Sequence, residues 1–198
     1  MALDTTNFLK NLNNAFAATD WTDCGKLLGS AFDTFIMSGT VKTNVTGLVT
    51  PPSGSAYPAV GTGTGTITTS GLSTMQSAIK TNLRSRATVW AGVGPAIATA
   101  INTDVATGIV KTTVTGVLIG TGNGVPGCIN TSAVLSQFIS DMTDAFTLPA
   151  YNKSWAAVAS AIVTAMTAYL TKAVVTTIDT GVTPPASWVS TLVTGTIS

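Results

Sequence analysis

The chain has 198 residues, 45% of them apolar and only 9% charged, with a formal net charge of +1. It contains no histidine, and its eight acidic residues are all aspartate. These values exclude a strongly basic nucleic-acid binder, rule out Ser-His-Asp and Cys-His catalysis within the chain, and weaken the self-repulsion that keeps proteins apart.

The N-terminal stretch MALDTTNFLKNLNNAF lacks a basic n-region and a continuous apolar run, so a signal peptide is not expected. Phe8, Leu12 and Phe16 recur every four residues and predict a short helix. Trp21 then opens a longer one. Cys24, Leu28, Phe32 and Ile36 follow it at three, seven, eleven and fifteen positions, with Ala31 at ten, tracing one apolar helical face. Asp20 is placed to cap its start, and Gly39 stands where a helix ending in a left-handed residue would want glycine. VKTNVTG, residues 41–47, alternates Val41, Thr43 and Val45 against Lys42, Asn44 and Thr46, as a half-buried strand does. A proline-bearing turn, VTPPSG from Val49, precedes a second short strand, TGTIT from Thr64.

The same order begins again with Met75, Ile79 and Leu83. Trp90 leads to Val93, Ile97, Ile101 and Val105 in the same frame, with Ala100 at the tenth position. Pro95 suits a first helical turn, and Gly108 matches Gly39. VKTTVTG follows at 110–116. GTGNGVPG, residues 120–127, replaces the proline turn, and no counterpart of the second strand is evident. Phe138, Met142 and Phe146 then precede Trp155, which leads Val158, Ile162, Met166 and Leu170, with Ala165 at the tenth position. Ser154 is a candidate cap. Ala173 replaces the glycine, so this helix is expected to run slightly longer. VTTIDTG at 175–181, VTPPAS from Val182 and TGTIS from Thr194 complete the chain.

Gly47, Gly116 and Gly181 each fall 26 positions after a tryptophan, and the tryptophans are 69 and 65 residues apart. A threonine-rich composition can imitate one motif; it does not easily repeat a tryptophan, a helical frame and a terminal glycine three times. The expected fold is α+β: three tandem pseudo-equivalent repeats, residues 1–69, 70–130 and 131–198, packed as one compact body. Each is a helical hairpin followed by one or two short β-strands. The expected repeat core is Trp21, Leu28, Phe32, Trp90, Ile97, Ile101, Trp155, Ile162 and Met166. A single repeat buries too little to stand alone, so neighbours must lend each other buried faces.

Chemical motifs are weak. Cys24 falls on a buried helical face and Cys128 in a loop between repeats; two free thiols fit better than a disulfide, and a metal site lacks histidine ligands. Asp141 and Asp144 lie one helical turn apart and could share a cation, although a solvated face is the commoner reading. GTGTGT from Gly61 has no P-loop lysine. Lys153 and Ser154 are adjacent but not in the geometry of a Ser-Lys pair. Arg84 and Arg86 make too small a basic spot for a nucleic-acid groove. Asn44, Asn130 and Asn152 head glycosylation-like triplets that arise freely in such a composition. Residues 155–175 are long enough to span a bilayer, yet the matching stretch of the first repeat carries Asp23, Lys26 and Asp33, so a buried helix is expected. No cofactor, metal or small-molecule substrate is expected, and the chain is expected not to be an enzyme.

VTPPSGSAYPAVGTGTGTITTSG, residues 49–71, alternating with Ala/Thr-rich helices and few charges, resembles structural proteins of tailed-phage virions. The resemblance covers most of the chain and rests on style rather than on a diagnostic motif. It implies a non-enzymatic subunit of a symmetric particle, in head decoration, collar, neck or tail, located in the virion. Its partners would be copies of itself and other virion structural proteins, without nucleic acid or membrane. Docking is expected through strand edges and Gly/Thr loops at Val41, Val45, Gly47, Val110, Val114, Gly116, Gly61, Gly63 and Gly65. A self-assembling extracellular or cell-surface filament is the alternative, and a membrane-active protein resting on the Trp155 segment is the third reading.

Overall fold

The computed structural model describes residues 3–85, 90–147, 154–183, 186–190 and 193–198. Among them are six α-helices: α1 (Thr5–Phe16), α2 (Trp21–Ser38), α3 (Leu72–Ser85), α4 (Val93–Thr107), α5 (Leu135–Thr147) and α6 (Trp155–Thr171). A 3-10 turn, Trp90–Gly92, leads into α4. The strands are β1 (Thr40–Val49), β2 (Tyr57–Thr68), β3 (Ile109–Gly116), β4 (Gly120–Gly124), β5 (Ile129–Asn130), β6 (Val174–Thr183), β7 (Ala186–Val189) and β8 (Val193–Ile197).

Both layers close on themselves. Each helix packs against the next in sequence, and α6 returns to α1, making a ring of six. The strands form an antiparallel circuit, β1–β2–β3–β4–β6–β8, with β8 pairing back to β1 through Val41↔Ile197 and Thr43↔Gly195. β6 carries β4 and then β5 along one edge, and β7 and then β8 along the other. A closed six-stranded barrel therefore continues from the C-terminal ends of α2, α4 and α6. Closure removes the free edges that an open sheet would present.

Local chemistry explains the helices. The Asp20 carboxylate accepts from the backbone N–H groups of Thr22 and Asp23 at 2.6 and 2.9 Å, capping α2 and holding this carboxyl below its ordinary pKa. Threonine is tolerated inside the helices because its hydroxyl turns back on the preceding turn. Thr99 donates to the Pro95 carbonyl at 2.8 Å, Thr143 to Ile139 at 2.7 Å and Thr167 to Val163 at 2.8 Å. The apolar frame after each tryptophan faces the ring interior: Cys24, Leu28, Phe32 and Ile36, Val93, Ile97, Ile101 and Val105, and Val158, Ile162, Met166 and Leu170 are all buried.

Glycines set how closely the helices approach. A Cβ on Gly25 would come within 2.7 Å of the Lys80 Cα on α3, and one on Gly94 would overlap the Met142 carbonyl on α5. Both lie four residues after a tryptophan, where α6 has the small, fully buried Ala159. The apolar frame does not reveal these crossings, because a glycine leaves no mark in a hydrophobic pattern.

Several expectations need correction. Gly39 and Gly108 end their helices with extended backbone, φ −64° and −61°, rather than left-handed; each chain passes directly into a strand, which requires that geometry. Ala173 does not lengthen α6, which has 17 residues against 18 in α2. Ser154 makes no side-chain cap bond. The stretch after VKTTVTG does contain a second strand, β4, built from GTGNG; its glycines conceal it from a propensity reading. Residues 155–175 are divided between α6 and the first residues of β6, and among the described residues no helix is long and apolar enough to cross a membrane. Arg86, Asn152 and Lys153 lie outside the described residues.

Candidate functional site

Three features separate this molecule from a generic helix-on-barrel core: an aromatic hub, a polar layer inside the barrel, and apolar side chains on the barrel wall. The hub lies at the N-terminal ends of α2, α4 and α6. Trp21, Trp90 and Trp155 meet there pairwise, with centroids 5.5–6.3 Å apart and ring planes 65–70° apart. These are edge-to-face contacts, the arrangement that places the positive rim of one ring on the negative face of the next. Phe16 stacks on Trp155 at 4.8 Å and Phe146 lies parallel to Trp90 at 6.3 Å. Trp155 remains 40% exposed, so the hub closes the ring while showing one indole to solvent.

Below the hub the ring interior is apolar, apart from polar contacts that lock neighbouring helices. Thr69, just before α3, donates to the Asp33 carboxylate of α2. Asp104 of α4 is buried with neither carboxylate oxygen hydrogen-bonded among the described residues, although the Gly71 N–H lies near enough to favour its charged form in part. Burial first, and then the Asp33 charge, push the Asp104 carboxyl above its ordinary pKa. The corresponding place between α4 and α6 is neutral. Thr131 and the Tyr169 hydroxyl both donate to Asn102 Oδ1, at 2.7 and 2.8 Å, and burial pushes Tyr169 up to about 12. Cys24 and Cys128 are both free and buried; desolvation pushes the Cys24 thiol to about 11, which suppresses its thiolate.

The second feature divides the core. One apolar cluster fills the helical ring and the adjoining end of the barrel, down to Val41, Val110 and Val175. A smaller one plugs the far end with Val45, Val49, Val114, Leu118 and Trp188. Between those levels the inward positions are Thr43, Thr112 and Thr177, and at the position of β6 that corresponds to Val45 and Val114 stands Asp179. Their hydroxyl and carboxylate oxygens have no hydrogen-bond partner among the described residues. Thr177 lies near enough to Asp179 to favour its charged form, without forming a proper hydrogen bond, and burial outweighs this, raising the carboxyl pKa. An unmade bond at such a group costs about 1–3 kcal/mol, so this layer is expensive for a barrel that could have used valine.

Glycine makes room for the layer. A Cβ on Gly63 would overlap Thr43 Oγ1, and one on Gly122 would overlap both Asp179 Oδ1 and Thr112 Oγ1. The repeated glycines of GTGTGT and GTGNG therefore line the barrel interior; they do not form a phosphate-binding loop.

The residues expected to carry assembly fall mostly inside. Val41, Val45, Val110 and Val114 are buried in the barrel, and Gly61, Gly63 and Gly65 pair with β1 on one side and β3 on the other. Gly47 pairs with Ala59, where a Cβ would come within 3.2 Å of Leu118. Gly116 takes a left-handed φ of 118° as β3 turns towards β4. The edges of β1, β2 and β3 are largely paired within the chain; β8 covers the second edge of β1 only at Val41–Thr43, and β3 covers β2 only from Gly61 onward. The exposed wall offers a different surface, with Leu48, Val60, Val117, Ile119, Ile178 and Val189 more than half exposed among threonines. A buried acid could have been sought as the one departure from valine, Asp179 in VTTIDTG. Asp141 lies on the outer face of α5, accepting from Gln137 at 2.7 Å, and Asp144 faces solvent.

Comparison of the sequence with protein families and with characterised proteins, and of the fold with solved structures, gives no match.

Proposed function

We propose that the chain is a non-enzymatic structural subunit of a symmetric viral particle, a head-decoration, neck or tail component of a tailed phage. It consists of three pseudo-equivalent units over residues 1–69, 70–130 and 131–198. The observation that carries this reading is the meeting of Trp21, Trp90 and Trp155 in three similar edge-to-face pairs. Residues with the same lead-in and the same 26-residue spacing to a glycine then meet around one centre, which supports reading them as related units. Such a body suits a position of local threefold or sixfold symmetry.

Its work is mechanical. A closed ring on a closed barrel resists shear, because no edge can slip without breaking the circuit. The low charge and the apolar side chains on the barrel wall favour contact with copies of itself and with other particle proteins. These wall residues add a docking surface to the strand edges left unpaired at residues 44–49 of β1 and 57–60 of β2.

Sedimentation velocity over a hundredfold range of concentration tests the reading. A defined ring or small oligomer is expected, reduced to monomer by replacing Val60, Val117 and Ile119 with aspartate. Filaments that lengthen with concentration would instead support an extracellular or cell-surface fibre subunit, and a monomer throughout would remove the self-assembly component.

A further inference from the structure

The barrel interior holds an acid that no basic group of the barrel can reach. Lys42 and Lys111 adjoin Thr43 and Thr112 in sequence, but strand alternation turns both lysines outward to solvent. Asp179 points inward and is 0% exposed; Thr43, Thr112 and Thr177 are 1%, 3% and 1% exposed. The Asp179 backbone is fixed, its N–H donating to Ser190 Oγ at 2.9 Å and its carbonyl accepting from the Ser190 N–H at 2.8 Å. The carboxyl is therefore held in the layer by strand pairing, with apolar clusters on either side.

We propose that this layer binds one monovalent alkali cation, with the Asp179 carboxylate as its charged ligand and the Thr43, Thr112 and Thr177 hydroxyl oxygens as neutral ligands. Three observations support it. Asp179 Oδ1 and Thr112 Oγ1 both pack over Gly122, and Thr43 Oγ1 and Thr112 Oγ1 both lie over Gly63, so the three side chains converge on neighbouring places in the barrel interior. Buried oxygens that converge without bonding to each other suit a shared ligand. All are hard oxygen donors, the type that takes alkali and alkaline-earth ions rather than transition metals.

The valence follows from charge. One carboxylate balances one positive charge; a divalent ion would leave a net charge in a low-dielectric interior, where unpaired charge is costly. Water alone would satisfy the hydroxyls but leave the carboxylate without a counter-charge.

The test is the thermal midpoint of the full chain at constant ionic strength, with NaCl, KCl or LiCl replacing choline chloride. One alkali ion should raise the midpoint by about 5–10 °C at a hundredfold excess over its dissociation constant. Asp179→Asn should abolish that rise, and Thr112→Val should reduce it. Because Asp179→Asn could fail to fold, crystals of the unaltered chain grown in RbCl provide a second measurement, with an anomalous peak expected between Asp179 and Thr112. Equal midpoints in all four salts, a rise that persists in Asp179→Asn, or an anomalous map without a barrel peak would each overturn the proposal. Water or a protonated acid in the layer gives the first of these results.

Discussion

The helical ring and the barrel are both closed circuits, yet their interiors obey opposite rules. The ring is filled by large side chains, Phe8, Leu28, Phe32, Ile97, Ile101 and Met166, in one apolar cluster. The barrel is lined mostly by glycine, valine and threonine around one large plug, Trp188, and is interrupted by the unpartnered oxygens of Thr43, Thr112, Thr177 and Asp179. A six-stranded barrel has a narrow interior, and glycine facing threonine fills it where larger residues would collide. The ring therefore supplies stability through buried area, whereas the barrel supplies shape.

The sharpest way to break this contrast is at a helix crossing. Gly94→Leu drives a side chain into the backbone of α5 at Met142, which has no room to yield. A loss of about 3 kcal/mol or more is expected, read from the urea midpoint. Ile97→Ala, in the middle of the ring, leaves a cavity among large neighbours and should cost about 2–5 kcal/mol in the same measurement. The matched change in the barrel should behave differently. Thr112→Val keeps the shape and removes an unpartnered hydroxyl, so in choline buffer it should be neutral or stabilising by about 1 kcal/mol. A large loss at Thr112 would show that the layer is held by bonds rather than tolerated for shape.

The smallest expected effect is on pH dependence, and its sign is unusual. Asp104 and Asp179 have folded-state pKa values raised above the unfolded value of 3.8. The folded chain retains protons that the unfolded chain has released, so this contribution is complete below 3.8 and is lost as pH rises through the folded values. Asp4 and Asp20 are shifted down and act oppositely below 3.8, but both are exposed. In alkali-free buffer the thermal midpoint should therefore fall from about pH 4 to neutral, and Asp104→Asn should flatten the slope. A midpoint that rises over this range would show that the buried acids are ionised and paired.

Much of the helical layer was legible in the sequence, because a helix buried on one face must repeat its apolar residues near every 3.6 positions. Cys24, Leu28, Phe32 and Ile36 announce α2 directly, and Asp20 marks its start. β1 and β3 were equally plain, since Val41, Thr43 and Val45 alternate with polar neighbours. The partner strands were not all plain. GTGNG has no β-branched residue except one threonine and reads as a loop, yet β4 exists because β3 and β6 hold it from both sides.

The sequence alone determined the local periods: where helices and alternating strands lie, and the spacing from each tryptophan to its glycine. Tertiary structure decided the rest. It closed the ring and the barrel, buried Val41, Val45, Val110 and Val114 inside that barrel, and carried Asp179 into a core. The reason is that a period records which face of an element is apolar, whereas closure and the environment of a buried charge depend on strands far apart in the chain. Val41 meets Ile197 only when the last strand returns to the first.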